Sequence, residues 1–137
     1  MIRPRSEDYQ GAAELRSALR RFLRVSEETA RRSGLTPQRY LLLLMIKGAP
    51  DGTERSTVTE LSRRLQLAQS TVTELVGRAE GTGLIRREPS SRDGRVVYLR
   101  LTPEAERRLE RTLVELGPEQ QRLAETVERR PAAEDAA

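Results

Sequence analysis

Two groups of polar and basic side chains in the middle of the chain have types and spacing suited to contact with double-stranded nucleic acid. The first lies in the segment QLAQSTVTELVGRAE, and the second lies in and just before SSRDGRVVYLRLT. A helix of short polar side chains fits the major groove, where glutamine can pair with adenine and a carboxylate can accept from cytosine N4. Arginines at the tip of a β-ribbon can bind phosphates or enter the minor groove. We therefore predict a helical contact set of Gln69, Ser70, Thr71, Thr73, Glu74 and Arg78, and a ribbon contact set of Arg86, Arg92, Asp93 and Arg95.

Several of these side chains have a second interpretation. Thr71 and Glu74 have the spacing of a capping box, so Thr71 could cap a helix instead of contacting a base. Asp93 cannot favour phosphate, and we expect it to pair with an arginine and hold the loop in shape. Arg86 and Arg87 alternate along a strand, so at most one of them faces the duplex. The remaining phosphate candidates, which fit a solvated helix surface equally well, are Arg63, Arg64 and Arg78.

Turn and capping residues predict the elements that must position these groups. Ser6 is the expected cap of a long first helix, and Gly34 is its expected stop. Thr36 followed by proline opens a second helix, and Thr57 opens a third with a capping box. The helix of the first contact set follows, and it begins after Ala68 with no side-chain cap.

The second half of the chain is predicted to contain a hairpin and two more helices. The strands are expected at residues 84–87 and 96–101, joined by a turn over 89–94. Thr102 and Pro103 start a helix, and Gly117-Pro118 is expected to break it, with a last helix ending near Arg130. The tail, residues 131–137, is rich in alanine and acid and is expected to be disordered. The apolar stripes of the helices at the two ends of the chain exceed what the small central unit can bury.

The composition excludes several classes of function. The 137 residues contain no cysteine and no histidine, which removes thiol chemistry, imidazole metal sites and nucleophile–histidine catalysis. We therefore expect no enzyme, no metal and no cofactor. Net charge is +4, with the first two thirds basic and the last third acidic, and every cation except Lys47 is an arginine. Arginine suits bidentate phosphate binding. The absence of a signal peptide or a long apolar run predicts a soluble cytoplasmic protein without membrane contact.

The chain resembles the MarR family of bacterial winged helix-turn-helix regulators from about Glu7 to Arg130. Four segments carry the resemblance: LTPQRYLLLL, TVTELSRRLQLAQSTVTELVGRAEGTGLIRREP, the wing SSRDGRVVYLRLT, and TPEAERRL. The resemblance implies a mainly α (α+β) fold with one domain over residues 1–137. In that domain, residues 36–102 form the winged DNA-binding lobe, and residues 6–34 and 103–130 form long dimerisation helices. The chain departs from the family pattern where Glu74 stands at a position that is often arginine.

The resemblance further implies a homodimer, and many members bind a small ligand between the dimer helices and the lobe. The dimer interface is expected to include Leu15, Leu19, Phe22, Leu113, Leu116, Leu123 and Val127, and the ligand cleft Arg16, Arg20 and Tyr40. The predicted function is therefore sequence-specific binding of double-stranded DNA at a pseudo-palindromic operator, as a repressor that responds to a small-molecule effector. The alternative is a winged-helix module that binds another protein and has no specific DNA affinity.

Overall fold

The computed structural model describes residues 2–129 of the chain. Within that range the molecule is mostly helical, with one two-stranded antiparallel sheet, as the sequence predicted. The predicted tail over 131–137, and Arg130 at the end of the last predicted helix, lie outside the described residues. No helix in the described range is long and apolar enough to cross a membrane. The elements are α1 (Ser6–Arg32), α2 (Pro37–Lys47), α3 (Val58–Leu65), α4 (Gln69–Gly81), β1 (Ile85–Pro89), β2 (Val97–Leu101) and α5 (Pro103–Glu128).

Three threonines start helices as the capping patterns predicted. Thr36, Thr57 and Thr102 each precede a helix, and each hydroxyl accepts a hydrogen bond at 3.2 Å from the amide three residues later. At Thr57 the capping box is complete, because the Glu60 carboxylate accepts from the threonine amide at 3.4 Å. Such caps satisfy backbone donors that a helix start leaves unpaired. The starts of α2, α3 and α5 are therefore encoded locally.

The prediction that Ser6 caps the first helix was wrong by one residue. Arg5 occupies the N-cap position, and its amide donates to the carboxylate of Asp8 at 2.7 Å. Ser6 is already the first helical residue. An acid in the first turn can bind the exposed amides itself, so no hydroxyl is needed at the cap.

The predicted break at Gly117-Pro118 is absent, because α5 continues through both residues to Glu128. Pro118 removes one hydrogen bond to the carbonyl of Val114, and an interior proline costs about 3 kcal/mol. Packing on both sides opposes that cost. Leu116 is fully buried, and Glu119 accepts two hydrogen bonds from Arg21 of α1. Tertiary contacts therefore carry the helix across a local breaker.

Ion pairs join the two end helices of the chain. Arg21 lies 3.0 Å from Glu119 and Arg32 lies 3.1 Å from Glu115, so the basic α1 packs against the acidic part of α5. Leu116 lies in this internal core with no exposed surface. Its assignment to the dimer interface is corrected, because a side chain without exposed surface cannot contact a second chain.

Helices α2, α3 and α4 and the sheet share one core, and this region is called the lobe below. Leu43, Leu61 and Val76 are completely buried, and Leu99 of β2 is 1% exposed. The strands pair with Arg86 opposite Arg100, and β1 extends to Pro89, two residues beyond its predicted end. Both backbone polar groups of Ser56 bond to Leu99, at 2.8 and 3.2 Å, which adds a short third segment to the sheet. The hairpin therefore rests on the same core that carries α4.

Candidate nucleic-acid interface

Helix α4 buries one face and presents the predicted contact residues on the other. Val72, Val76 and Ala79 are completely buried, and Leu75 is nearly so. This stripe follows the three- and four-residue spacing of an amphipathic helix. Because this stripe fixes the rotation of α4 about its own axis, the fold alone determines which residues are exposed on the opposite face. The exposed residues are Gln69, Ser70, Thr71, Thr73, Glu74, Gly77 and Arg78.

The start of α4 lacks a side-chain cap, as expected from Ala68. Thr71 is the third residue of the helix, so it does not form the capping box with Glu74 that its spacing allowed. Thr71 therefore stays with the contact set. The side-chain amide of Gln69 donates to the hydroxyl of Thr59 on α3 at 3.4 Å, which orients it at the turn between the two helices.

The exposed face of α4 is electrically balanced. The Arg78 guanidinium donates to Glu74 at 2.5 Å, one helical turn away, and both side chains are about 60% exposed to solvent. A side-chain carbon added at Gly77 would meet no atom of the described residues within 4 Å, so the space beside this pair is open. Arg78, which was predicted to contact phosphate, is therefore paired with a carboxylate of its own helix.

Arg64 does not belong to the interface. Its guanidinium donates to the carbonyls of Met45 at 2.6 Å and Gly48 at 3.3 Å, which satisfies the C-terminus of α2. The prediction that Arg64 contacts phosphate is corrected for this reason. Arg63, one residue earlier, is exposed and donates to no protein group within residues 2–129.

The wing, residues 85–101, has a stem that is held on both faces. On one face, Arg87 donates through Nε to both carboxylate oxygens of Glu80 on α4, each at 3.1 Å. On the other face, Arg100 donates to Glu88 and, at 3.1 Å, to the carbonyl of Thr53. The pKa of Glu88 is lowered by its hydrogen bond from Arg100. In addition, Arg55 stacks 3.9 Å above the ring centre of Tyr98. The alternation predicted for Arg86 and Arg87 is present, since Arg87 is engaged with α4 and Arg86 is exposed.

The wing tip is shaped by short-range bonds that leave its arginine side chains unused. The carboxylate of Asp93 accepts from the amide of Arg95 at 3.0 Å, and the hydroxyl of Ser90 accepts from the amide of Arg92 at 3.2 Å. Asp93 thus holds the loop as predicted, but through a backbone amide instead of a guanidinium. Within residues 2–129, the side chains of Arg86, Arg92 and Arg95 donate to no protein acceptor, so three cations remain available to an external anion.

A cavity of about 110 Å³ lies where α1 and α2 meet α5. Tyr40 lines it, as predicted, and is 5% exposed, and burial raises the pKa of its phenol. The hydroxyl of Ser26 is buried at the same cavity without a hydrogen-bond partner among the described residues. Its full lining is Phe22, Leu23, Ser26, Glu27, Pro37, Tyr40, Leu41, Leu44 and Gln120.

The structure does not bring Arg16 and Arg20 to that cavity. Arg16 donates to the carbonyl of Ala12 at 3.3 Å, and Arg20 lies on a separate arginine-rich stretch of the α1 surface. Their assignment to a cleft shared with Tyr40 is corrected, because neither side chain is in the lining of that cavity. Sequence reasoning missed Ser26, although it falls four residues after Phe22 on the same helical face.

The end helices keep apolar side chains on their outer surface. Of the predicted interface residues, Leu19, Leu113 and Val127 are exposed by 43%, 39% and 53%, and Leu15, Phe22 and Leu123 are half-buried. Two neighbours were not predicted: Leu23, 46% exposed, and Val114, 73% exposed. Each directly follows a predicted interface residue, Phe22 or Leu113, and this position in the sequence is the signal that could have identified it.

Comparison with known proteins identifies the same architecture. The MarR family model matches residues 33–96, which span α2 to the wing tip. YsmB of Bacillus subtilis (strain 168), an uncharacterized HTH-type transcriptional regulator, is 29% identical over 106 residues, covering 74% of this chain and 70% of YsmB.

Two solved structures from Streptomyces coelicolor share the fold. AbsC, a MarR family transcriptional regulator, aligns with a TM-score of 0.72 at 18% identity over 99% of this chain and 88% of AbsC. Sco3205, a MarR family transcriptional regulator solved in complex with DNA, aligns with a TM-score of 0.68 at 23% identity over 99% of this chain and 82% of that protein. The resemblance found in the sequence is therefore confirmed.

Proposed function

We propose that the protein is a transcriptional regulator that binds double-stranded DNA in the cytoplasm, as its similarity to the winged helix-turn-helix of the MarR family implies. The observation that carries the proposal is the arrangement of one lobe. The polar face of α4 and the exposed arginines of the wing lie on the same lobe, and a shared core holds both. Helices of this kind place their N-terminal residues against base edges in the major groove. The wing arginines would then lie against phosphates or the neighbouring minor groove.

We propose further that the protein acts as a homodimer on a pseudo-palindromic operator. The exposed apolar side chains of α1 and α5 support this arrangement, since such a surface on the two end helices marks a site of protein association. A two-fold pair presents two identical lobes, and half-site spacing follows from the distance between them. Repression is the expected mode, through occupation of a site that overlaps a promoter.

The cavity beside Tyr40 is our proposed effector site. It lies at the junction between the lobe and the end helices, where a bound molecule would favour one lobe spacing over another. A ligand shifts such an equilibrium by its difference in affinity for the two states. Among the described residues, Glu27 alone brings a charge to the lining, and Ser26, Tyr40 and Gln120 offer hydrogen-bonding groups. A small neutral or cationic molecule therefore fits the lining better than a carboxylate does.

Selection of bound fragments from random duplex DNA tests the DNA-binding proposal. We expect a consensus with two inverted half-sites, and an affinity that falls by about 0.9 log units per tenfold rise in salt for each phosphate neutralised. Sedimentation should give a mass of roughly twice the 15.5 kDa of one chain. An affinity that is indifferent to salt, with no consensus, would instead favour the module that binds another protein, for which the balanced charge of α4 is the supporting observation.

A further inference from the structure

The pair formed by Glu74 and Arg78 bears on how the protein separates its operator from other DNA. Both side chains lie on the exposed face of α4 and are bound to each other at 2.5 Å. An acid at this place is unfavourable for general DNA affinity, because a carboxylate is repelled by phosphates and also neutralises the arginine of the same face. The pair therefore lowers the attraction of α4 to every sequence alike.

One base pair can satisfy both members of this ion pair at once. In the major groove, a C·G pair presents the N4 amino group of cytosine as a donor and O6 and N7 of guanine as acceptors. A carboxylate accepts from the first, and a guanidinium donates to the second. The two residues are four positions apart, about 6 Å along the helix axis, which lies between one and two base steps of the duplex. The open space at Gly77 leaves room for the base edges to approach.

We propose that Glu74 and Arg78 together read a C·G base pair, and that Glu74 suppresses binding to sequences that lack it. This inference rests on the proposed DNA-binding function and deepens it. On non-cognate DNA the carboxylate finds no donor and remains near phosphates, so binding is weakened. On the operator the carboxylate and the guanidinium each gain a partner. Specificity then arises as much from the penalty on wrong sequences as from the contacts with the right one.

The test compares the wild type with Glu74→Gln on the selected operator, on the operator with the C·G pair replaced by A·T, and on a random duplex. In the wild type, replacement of the pair should lower affinity by about tenfold to a hundredfold. In the variant that loss should shrink to less than about threefold, and random-duplex affinity should rise about tenfold per protomer near 0.1 M salt. The dependence of log affinity on log salt should steepen by about 0.9 per protomer, because Arg78 becomes free to bind phosphate.

Glu54→Gln is the matched control. Glu54 is also an exposed acid of the lobe that is bound to a cation, Lys47, at 2.9 Å, and Lys47 keeps a second partner in Glu106. The control removes the same charge from the lobe and should leave both the consensus and the salt dependence unchanged. Thermal unfolding of both variants should match the wild type, because both substitutions are on the surface.

Three results would overturn the inference. One is an unchanged consensus and random-duplex affinity in Glu74→Gln, and another is the same change in Glu54→Gln, which would reduce the effect to net charge. The third is altered preference at an A·T position instead of a C·G position. A wild type that selects no sequence at all marks the failure of the proposed function itself, and the inference falls with it.

Discussion

Helix α4 and the wing both face outward from one core, yet they differ in almost every property that governs DNA binding. The exposed face of α4 carries short polar side chains and a neutralised ion pair, and a continuous buried stripe fixes its orientation. The wing carries Arg86, Arg92 and Arg95, whose guanidiniums bind no acceptor in the described part of the chain, on a stem held by Arg87 and Arg100. We therefore expect the wing to supply general attraction to DNA and α4 to read bases, so that each property can be changed while the other is retained.

The largest expected effect comes from removing the packing that both elements share. Leu99 of β2 is 1% exposed and belongs to the same buried cluster as Val76 of α4. Replacing a buried leucine with alanine costs about 2–5 kcal/mol through the transfer energy of the removed atoms and the cavity left behind, so we expect Leu99→Ala to reduce the free energy of unfolding by about 3 kcal/mol. Urea denaturation measures this change in the free energy of unfolding. A reduction below about 1 kcal/mol would mean that the wing stem is not part of the lobe core.

Removing two wing cations should weaken DNA binding without affecting the fold. We expect Arg92→Ala combined with Arg95→Ala to lower operator affinity at least about tenfold and to reduce the salt dependence by about 0.9 log units for each phosphate that is no longer neutralised. Stability should change by less than about 0.5 kcal/mol, because both side chains are exposed.

Titrations of one labelled operator at several salt concentrations check this result. Arg24→Ala, which removes an exposed arginine from α1, is the control and should bind as the wild type does. An unchanged salt dependence in the double variant would show that the wing tip does not touch phosphates.

A substitution on α4 should alter the base preference, whereas the wing substitutions alter the salt dependence. We expect Gln69→Ala to relax sequence preference at one half-site position, by about tenfold between the preferred and other bases, with the salt dependence retained. Repeating the selection with the variant measures the preference directly. A uniform decrease of affinity over all sequences would assign Gln69 a positioning role through Thr59 instead.

The smallest expected effect concerns the uncapped start of α4. Ala68→Ser supplies a hydroxyl where the structure has no side-chain cap, and a cap of this type contributes about 1 kcal/mol. We expect the melting temperature to rise by several degrees with the operator consensus unchanged. A rise in stability with an altered consensus would show that the cap position also touches DNA.

Features that depend on neighbouring residues in the chain could be predicted from the sequence. The threonine caps, the buried stripe of α4 and the wing hairpin each arise from a short pattern whose physical cause is local. The exposed contact residues of α4 followed from that stripe. The exposed wing arginines followed from the position of the turn between the strands.

Features that depend on distant partners could not be predicted. Nothing near Pro118 in the sequence indicates that α1 would hold α5 together across it. Arg64 looked like a surface cation because its acceptors lie at the end of α2, 16 and 19 residues earlier. The separation of Arg16 from Tyr40, and the gathering of Ser26 and Gln120 at one cavity, likewise depend on how α1, α2 and α5 pack.

Pro118 also determines where along its length α5 resists bending least. Helix α5 is about 39 Å long, and its backbone hydrogen bonds resist bending. The hydrogen bond to the Val114 carbonyl is missing, because Pro118 has no amide hydrogen. Val114 faces solvent while Leu116 faces the core, so the missing hydrogen bond lies on the outer side of α5. The backbone of α5 is therefore weakest at this point, and the buried Leu116 and the ion pair between Arg21 and Glu119 limit how far its two halves can bend.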